Sequence, residues 1–139
     1  MPKNILLPVD GSKFMERNID YASDVAKVMN SKLTLIHVVT LPAVVEPGFP
    51  IDPRPFEEAG MRILENAKKI AMDKGVESET ILETTFGNAA QKILKVAEER
   101  KTDLIIIGSR GHSRLRNLLV GSVCDTVVRN APCPVLVVR

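Results

Sequence analysis

Apolar and polar positions along the chain fall into blocks, each with its own period. Ile5, Leu6, Leu7, Pro8 and Val9 form a short continuous apolar run, which reads as a strand covered on both faces. Pro8 cannot donate to a ladder, so it belongs near that strand's end. Over residues 13–30 the apolar positions Met15, Ile19, Ala22, Ala26 and Met29 recur at steps of three and four. That is one face of a helix, with Ser12 as its expected N-cap and Glu16 in the first turn. Residues 33–39, LTLIHVV, read as a second strand. Residues 40–55 are rich in proline and show no period, so a long loop or lid is expected.

A second helix is predicted over residues 56–73, with Phe56, Ala59, Ile63, Ala67 and Ile70 inward and Lys74-Gly75 as its stop. Residues 76–86 alternate acidic, hydroxyl and apolar side chains, as an edge strand with one solvated face would. Asn88, with Gln91 three residues on, resembles a capping box, and Ile93, Leu94 and Ala97 give the next helix a buried stripe. Leu104, Ile105, Ile106 and Ile107 form the most apolar run, which predicts a central strand. Ser122 opens a last helical pattern through Val123, Val127 and Val128, and residues 135–138 close the chain as an apolar strand. Five strands alternating with four helices predict an α/β fold with a parallel sheet and right-handed crossovers. Ligands of such sheets lie beyond the carboxyl ends of the strands. The Asp10 turn, the His37-Val38 end of the second strand and the Gly108 loop are all carboxyl-end features, able to share one crevice.

Composition narrows the choice of function. A length of 139 residues suits one domain, 1–139, with a full core. The net charge of +2 is too small to suggest nucleic acid as a partner. Four Phe, one Tyr and no Trp offer few stacking platforms for single strands. No run is long enough to span a bilayer, and the first apolar run is too short for a signal peptide. With Cys124 and Cys133 outside any paired or ligand spacing, a reduced cytoplasmic setting is expected.

The candidate chemistry concentrates in residues 103–123, DLIIIGSRGHSRLRNLLVGSV. Glycine lets backbone approach a ligand without a Cβ in the way, and the first N–H groups of the following helix lack intrahelical acceptors. An anion would satisfy them and meet the positive end of the helix dipole. Arg110, Arg114 and Arg116 add cations to the same loop. The loop is not a Walker A motif, and no G-x-G-x-x-G follows the first strand. A tight turn with a flexible connection is the simpler alternative.

Asp10 either caps the turn after its strand or accepts hydrogen bonds from ribose hydroxyls. A phosphoacceptor site would want a cluster of acids there, and Asp10 stands alone in the sequence. His37 lies among apolar residues and reads as a satisfied core histidine. The backbone of Val38 is the better candidate to read a base. His112 is a loop histidine with no Ser-His-Asp or Cys-His constellation around it. Cys124 falls in the first turn of the last helix, where a thiol pKa can fall, although burial as a small hydrophobe is the expected role. Paired carboxylates and metal-ligand clusters are absent from the sequence pattern.

The spacing Gly108, two residues, Gly111, nine residues, Gly121-Ser122 resembles the nucleotide loop of the universal stress protein family, in its ATP-binding branch. The amino-terminal NILLPVDGS, the second-strand LTLIHVV and the closing RNAPCPVLVVR resemble that family in the same order, across essentially the whole chain. The resemblance implies an open, mostly parallel five-stranded sheet with helices on both faces, a Rossmann-like fold of the adenine nucleotide alpha hydrolase type. It implies Pro8, Val9 and Asp10 on the adenosine side and Val38 at the adenine. Gly108, Arg110, Gly111, His112, Gly121, Ser122 and Val123 would hold the phosphates. The implied ligand is ATP, with Mg²⁺ or Mn²⁺ as companion ion, and the implied partner is a second copy paired through Val135, Leu136, Val137 and Val138. The expected function is a nucleotide-dependent regulatory protein of the stress response with at most slow ATP hydrolysis. An adenine-nucleotide hydrolase or adenylyl-transferring enzyme is the alternative, although the Ser-Gly-Gly-x-Asp-Ser type of loop is missing. A dimeric scaffold that never meets nucleotide is the third reading.

Overall fold

The computed structural model describes residues 2–42, 48, 50–109 and 122–139. In chain order the elements are β1 (Asn4–Pro8), α1 (Met15–Met29), β2 (Lys32–Thr40), α2 (Arg54–Asp73), β3 (Ser78–Thr85), α3 (Ala89–Glu99), β4 (Leu104–Gly108), α4 (Ser122–Asn130) and β5 (Val135–Val138). The strands form one sheet in the order β3-β2-β1-β4-β5, every neighbouring pair parallel. The chain builds outward from β1 through β2 to β3, then crosses back to β4 and β5. The reversal falls between β1 and β4.

Alternation along the strands sorts the core into two layers. Ile5, Leu7, Leu33, Leu35 and Ile106 face α1 and α2, where they meet Met15, Ile19, Ala22, Leu64 and Ala67. Leu6, Ile36, Ile105 and Ile107 face the other way, against Ala90, Ile93, Val96 and Ala97 of α3 and Cys124 and Val127 of α4. Each fully buried Leu or Ile stabilises the fold by about 1.5–3 kcal/mol relative to exposure, which is why the three apolar runs occupy the middle of the sheet.

The predicted edge strand is β3, narrower than residues 76–86, and β5 is the opposite edge. Val137 is 36% exposed on β5. The first helix starts later than expected, at Met15, with Phe14 in the N-cap position and no side-chain cap. Ser12 is therefore not its cap. Its hydroxyl accepts from the Phe14 N–H at 3.3 Å and its carbonyl from the Met15 N–H at 3.1 Å, inside a turn that precedes the helix. The second helix starts earlier, at Arg54, because Pro53 and Pro55 already have the φ a first turn requires. Thr40 and Arg54 thus belong to regular elements. Positions 43–47 and 49 of the proline-rich connection lie outside the described residues. The Asn88 side chain does cap α3, accepting from the Ala90 N–H at 2.8 Å.

A clamp joins the sheet at its amino-terminal side. One Asp103 carboxylate oxygen accepts from the backbone N–H groups of Lys3 and Asn4, each at 2.9 Å, tying the start of β1 to the entry of β4. These two bonds, chiefly, hold the Asp103 carboxyl below the usual aspartate range.

Candidate functional site

The reversal in strand order opens a crevice at the carboxyl end of the sheet, as the topology requires. It encloses about 600 Å³. Pro8, Val9 and Asp10 enter from the end of β1, Val38 from β2, Gly108 from β4, and Ser122 and Val123 from the start of α4. Seven of the residues singled out in the sequence therefore share one cavity. Arg110, Gly111, His112 and Gly121 lie outside the described residues, as do Arg114 and Arg116.

The β1 side is shaped by a local turn. Asp10 Oδ1 accepts from the Ser12 N–H at 2.9 Å, which is the capping role the sequence allows. Gly11 has φ +73°, a conformation that favours glycine, and a Cβ there would stand 2.9 Å from Ile63 Cδ1 of α2. The turn is thereby locked against α2, with Asp10 held at the cavity wall.

The β2 side offers backbone. The register of β1 on β2 ends at Pro8↔Ile36, and the Val9 N–H donates to the Ile36 carbonyl at 2.8 Å. Ile36 therefore faces β1, and alternation turns the N–H and C=O of Val38 to the same side. By that point β1 has turned away at Asp10. The register of β2 on β3 continues to Thr40↔Thr85, so β2 outruns β1 along the crevice. Val38 presents a donor and an acceptor in fixed spacing to the cavity.

His37 is a satisfied histidine, as its setting suggested. Its Nδ1 lies 2.7 Å from the Val9 carbonyl oxygen, which can only accept, so Nδ1 carries a proton. At the far side α4 begins at Ser122, where the first N–H groups have no intrahelical acceptor. Cys124 is 2% exposed within that first turn. Burial, and then the neighbouring Asp125, push its thiol pKa up, so it behaves as a small hydrophobe and not as a nucleophile.

Sequence reasoning missed the walls contributed by α1, α2 and α3. Phe56, Ala59, Gly60 and Ile63 of α2, Ala89 and Ile93 of α3, and Asn18 of α1 all line the cavity. Gly60 lets α2 lie close on β2, since a Cβ there would stand 2.8 Å from Leu82 Cδ1 and 3.0 Å from both His37 Cδ2 and Val39 Cγ2. The signal that could have found Asn18 is its position on the apolar stripe of α1, three residues from Met15 and four from Ala22. Among the described residues no three His, Cys, Asp or Glu side chains gather as a metal site. None of the described helices is long and apolar enough to cross a membrane.

The chain is similar to known proteins over its whole length. The model of the universal stress protein family matches residues 1–139. Universal stress protein YxiE of Bacillus subtilis is 36% identical over 152 residues, covering 100% of both chains. The universal stress protein structure from Archaeoglobus fulgidus superposes with a TM-score of 0.79 at 26% identity, covering 100% of each chain. A universal stress protein from the same organism, solved in complex with dAMP, gives a TM-score of 0.75 at 25% identity, covering 99% of this chain and 98% of the other.

Proposed function

Because the chain belongs to the universal stress protein family, we propose that its carboxyl-end crevice binds an adenine nucleotide and that the bound nucleotide makes the protein a regulator in the stress response. The observation that carries this reading is the convergence of Asp10, the free-edge backbone of Val38, Gly108 and Ser122 on one cavity of about 600 Å³. The dAMP bound by the Archaeoglobus relative supports the same class of ligand.

Each part of a nucleotide has a counterpart of matching chemistry. An adenine edge carries a donor and an acceptor, and so does Val38. Asp10 is an acceptor for ribose hydroxyls. The start of α4, with the Ser122 hydroxyl, offers donors and a positive dipole end to phosphate oxygens. Arg110, Gly111, His112 and Gly121 are proposed as further phosphate contacts on the strength of the loop spacing alone. ATP is the proposed nucleotide. Mg²⁺ or Mn²⁺ would be carried by its phosphate oxygens and water, with the Ser122 hydroxyl as the protein oxygen on the phosphate side of the crevice, in keeping with how such ions bind nucleotides.

We also propose that the protein works in the cytoplasm as a homodimer, with the exposed edge of β5 paired to a second copy through Val135, Leu136, Val137 and Val138. An apolar strand edge ending in solvent favours such pairing.

The test is the nucleotide content of the purified protein after denaturation, beside a calorimetric titration with ATP and Mg²⁺. Stoichiometric ATP, or saturable binding of added ATP, supports the regulatory reading. Steady release of ADP or AMP would replace it with the hydrolase reading. No recovered nucleotide and no binding at millimolar ATP would end both.

A further inference from the structure

Asn18 occupies a core position of α1, and its side chain makes no hydrogen bond among the described residues. It is 7% exposed, on the stripe that otherwise carries Met15, Ile19, Ala22 and Ala26. Its backbone N–H donates to the Phe14 carbonyl at 3.1 Å, as any helical residue would. Its carboxamide brings two donors and one acceptor, and none of these has a hydrogen-bond partner among the described residues. An apolar residue would fill the same space without bringing polar atoms that need partners.

The surroundings define the missing partner. Asn18 lines the crevice and lies directly against Gly108. A Cβ at position 108 would fall on its Nδ2, 3.1 Å from Cγ and 3.3 Å from Oδ1. Gly108 must therefore be glycine for the carboxamide to reach the end of β4. Across the crevice the order of features is Val38 on β2, Asp10 on β1, Gly108 on β4 and Ser122 on α4. A nucleotide laid along that order has its base at Val38, its sugar at Asp10 and its terminal phosphates at Ser122. The group above Gly108 is then the phosphate attached to the sugar.

We propose that Asn18 is a further ligand-binding residue of the crevice, donating from Nδ2 to an oxygen of the phosphate next to the ribose. The inference rests on the nucleotide reading above and adds to it the group that tells a nucleotide from its nucleoside. A carboxamide suits that task, because it supplies a neutral donor to an anion without burying a second charge beside it.

The experiment measures adenosine, AMP and ATP binding by calorimetry to the wild-type protein, Asn18→Ala and Asn18→Asp, each checked for an intact fold by thermal melting. The expected result is a loss of about tenfold or more in AMP affinity for Asn18→Ala, the scale of one hydrogen bond to a charged group. Asn18→Asp, of equal shape, loses more because its carboxylate faces the phosphate. Adenosine affinity stays within about twofold in both, since a hydrogen bond to phosphate is absent from that complex. Equal weakening of AMP and adenosine, or no change in either, overturns the assignment. Wild-type protein that binds neither AMP nor ATP overturns the nucleotide reading itself, and this assignment with it.

Discussion

The His37 imidazole and the Val9 carbonyl, 28 residues apart in the chain, meet at 2.7 Å at the point where β1 leaves the sheet. The Val9 N–H already reaches the Ile36 carbonyl, so both backbone groups of Val9 are held by β2. The histidine extends the pairing by one step beyond the ladder and fixes the wall on which Asp10 stands. Replacing it by Phe keeps the ring and removes the donor. His37→Phe is expected to lose about 1–3 kcal/mol of stability, the cost of leaving a partly buried carbonyl unpaired. Urea unfolding of the two proteins checks this, and equal midpoints would show that the bond contributes nothing.

Gly60 gives a second prediction. An added methyl would press at once on Leu82, His37 and Val39, and the packed interior yields only by moving α2 away from β2. Gly60→Ala should destabilise by about 1–3 kcal/mol, the usual range for overpacking, despite the better helix propensity of alanine. It should also weaken nucleotide binding by shifting one wall of the crevice. A melt at or above the wild-type temperature would contradict the close approach described for α2.

Asp103 makes stability depend on pH. Its carboxyl is held below the usual range by the Lys3 and Asn4 N–H groups, so the folded state binds its proton less readily than the unfolded state does. The stabilisation is fully present above the ordinary aspartate pKa, about pH 4, and is lost as pH falls through the lower folded value. Asp103→Asn should therefore melt below the wild type at pH 7, with the gap closing as the pH is taken below about 4. A gap that is constant across that range would show that the charge plays no part.

The β5 edge is tested by charge. Val137→Lys places an ammonium on the strand whose outer edge is proposed to meet a second copy, and edge lysines oppose strand pairing. Light scattering is expected to give twice the chain mass for the wild type and a monomer for the variant. A dimer that survives the substitution would move the interface elsewhere.

Much of this architecture was legible because the apolar runs are unambiguous. Ile105, Ile106 and Ile107 can satisfy both layers only from the middle of a sheet, and the α1 stripe admits one orientation. The helix starts were less legible. Ser12 has the chemistry of an N-cap, but the Asp10 turn and the left-handed Gly11 direct its hydroxyl to the N–H of Phe14, one residue before the helix begins. The crevice was half legible. Its strand-end residues follow from topology, whereas the contribution of Gly60 and Ile63 depends on how closely α2 lies on β2, a tertiary distance that no local pattern encodes. Asn18 was visible as a polar residue on an apolar stripe, and only its contact with Gly108 gives that irregularity a meaning.

The overhang of β2 past β1 has a further effect on how the site can vary. The groups that Val38 turns toward the crevice belong to the main chain, so replacing its side chain leaves both in place. Under the proposed nucleotide reading, discrimination at that end is written into the path of the chain. Drift in the side chains of β2 can tune the fit around a ligand, while altering what is read there requires a change in where β1 ends.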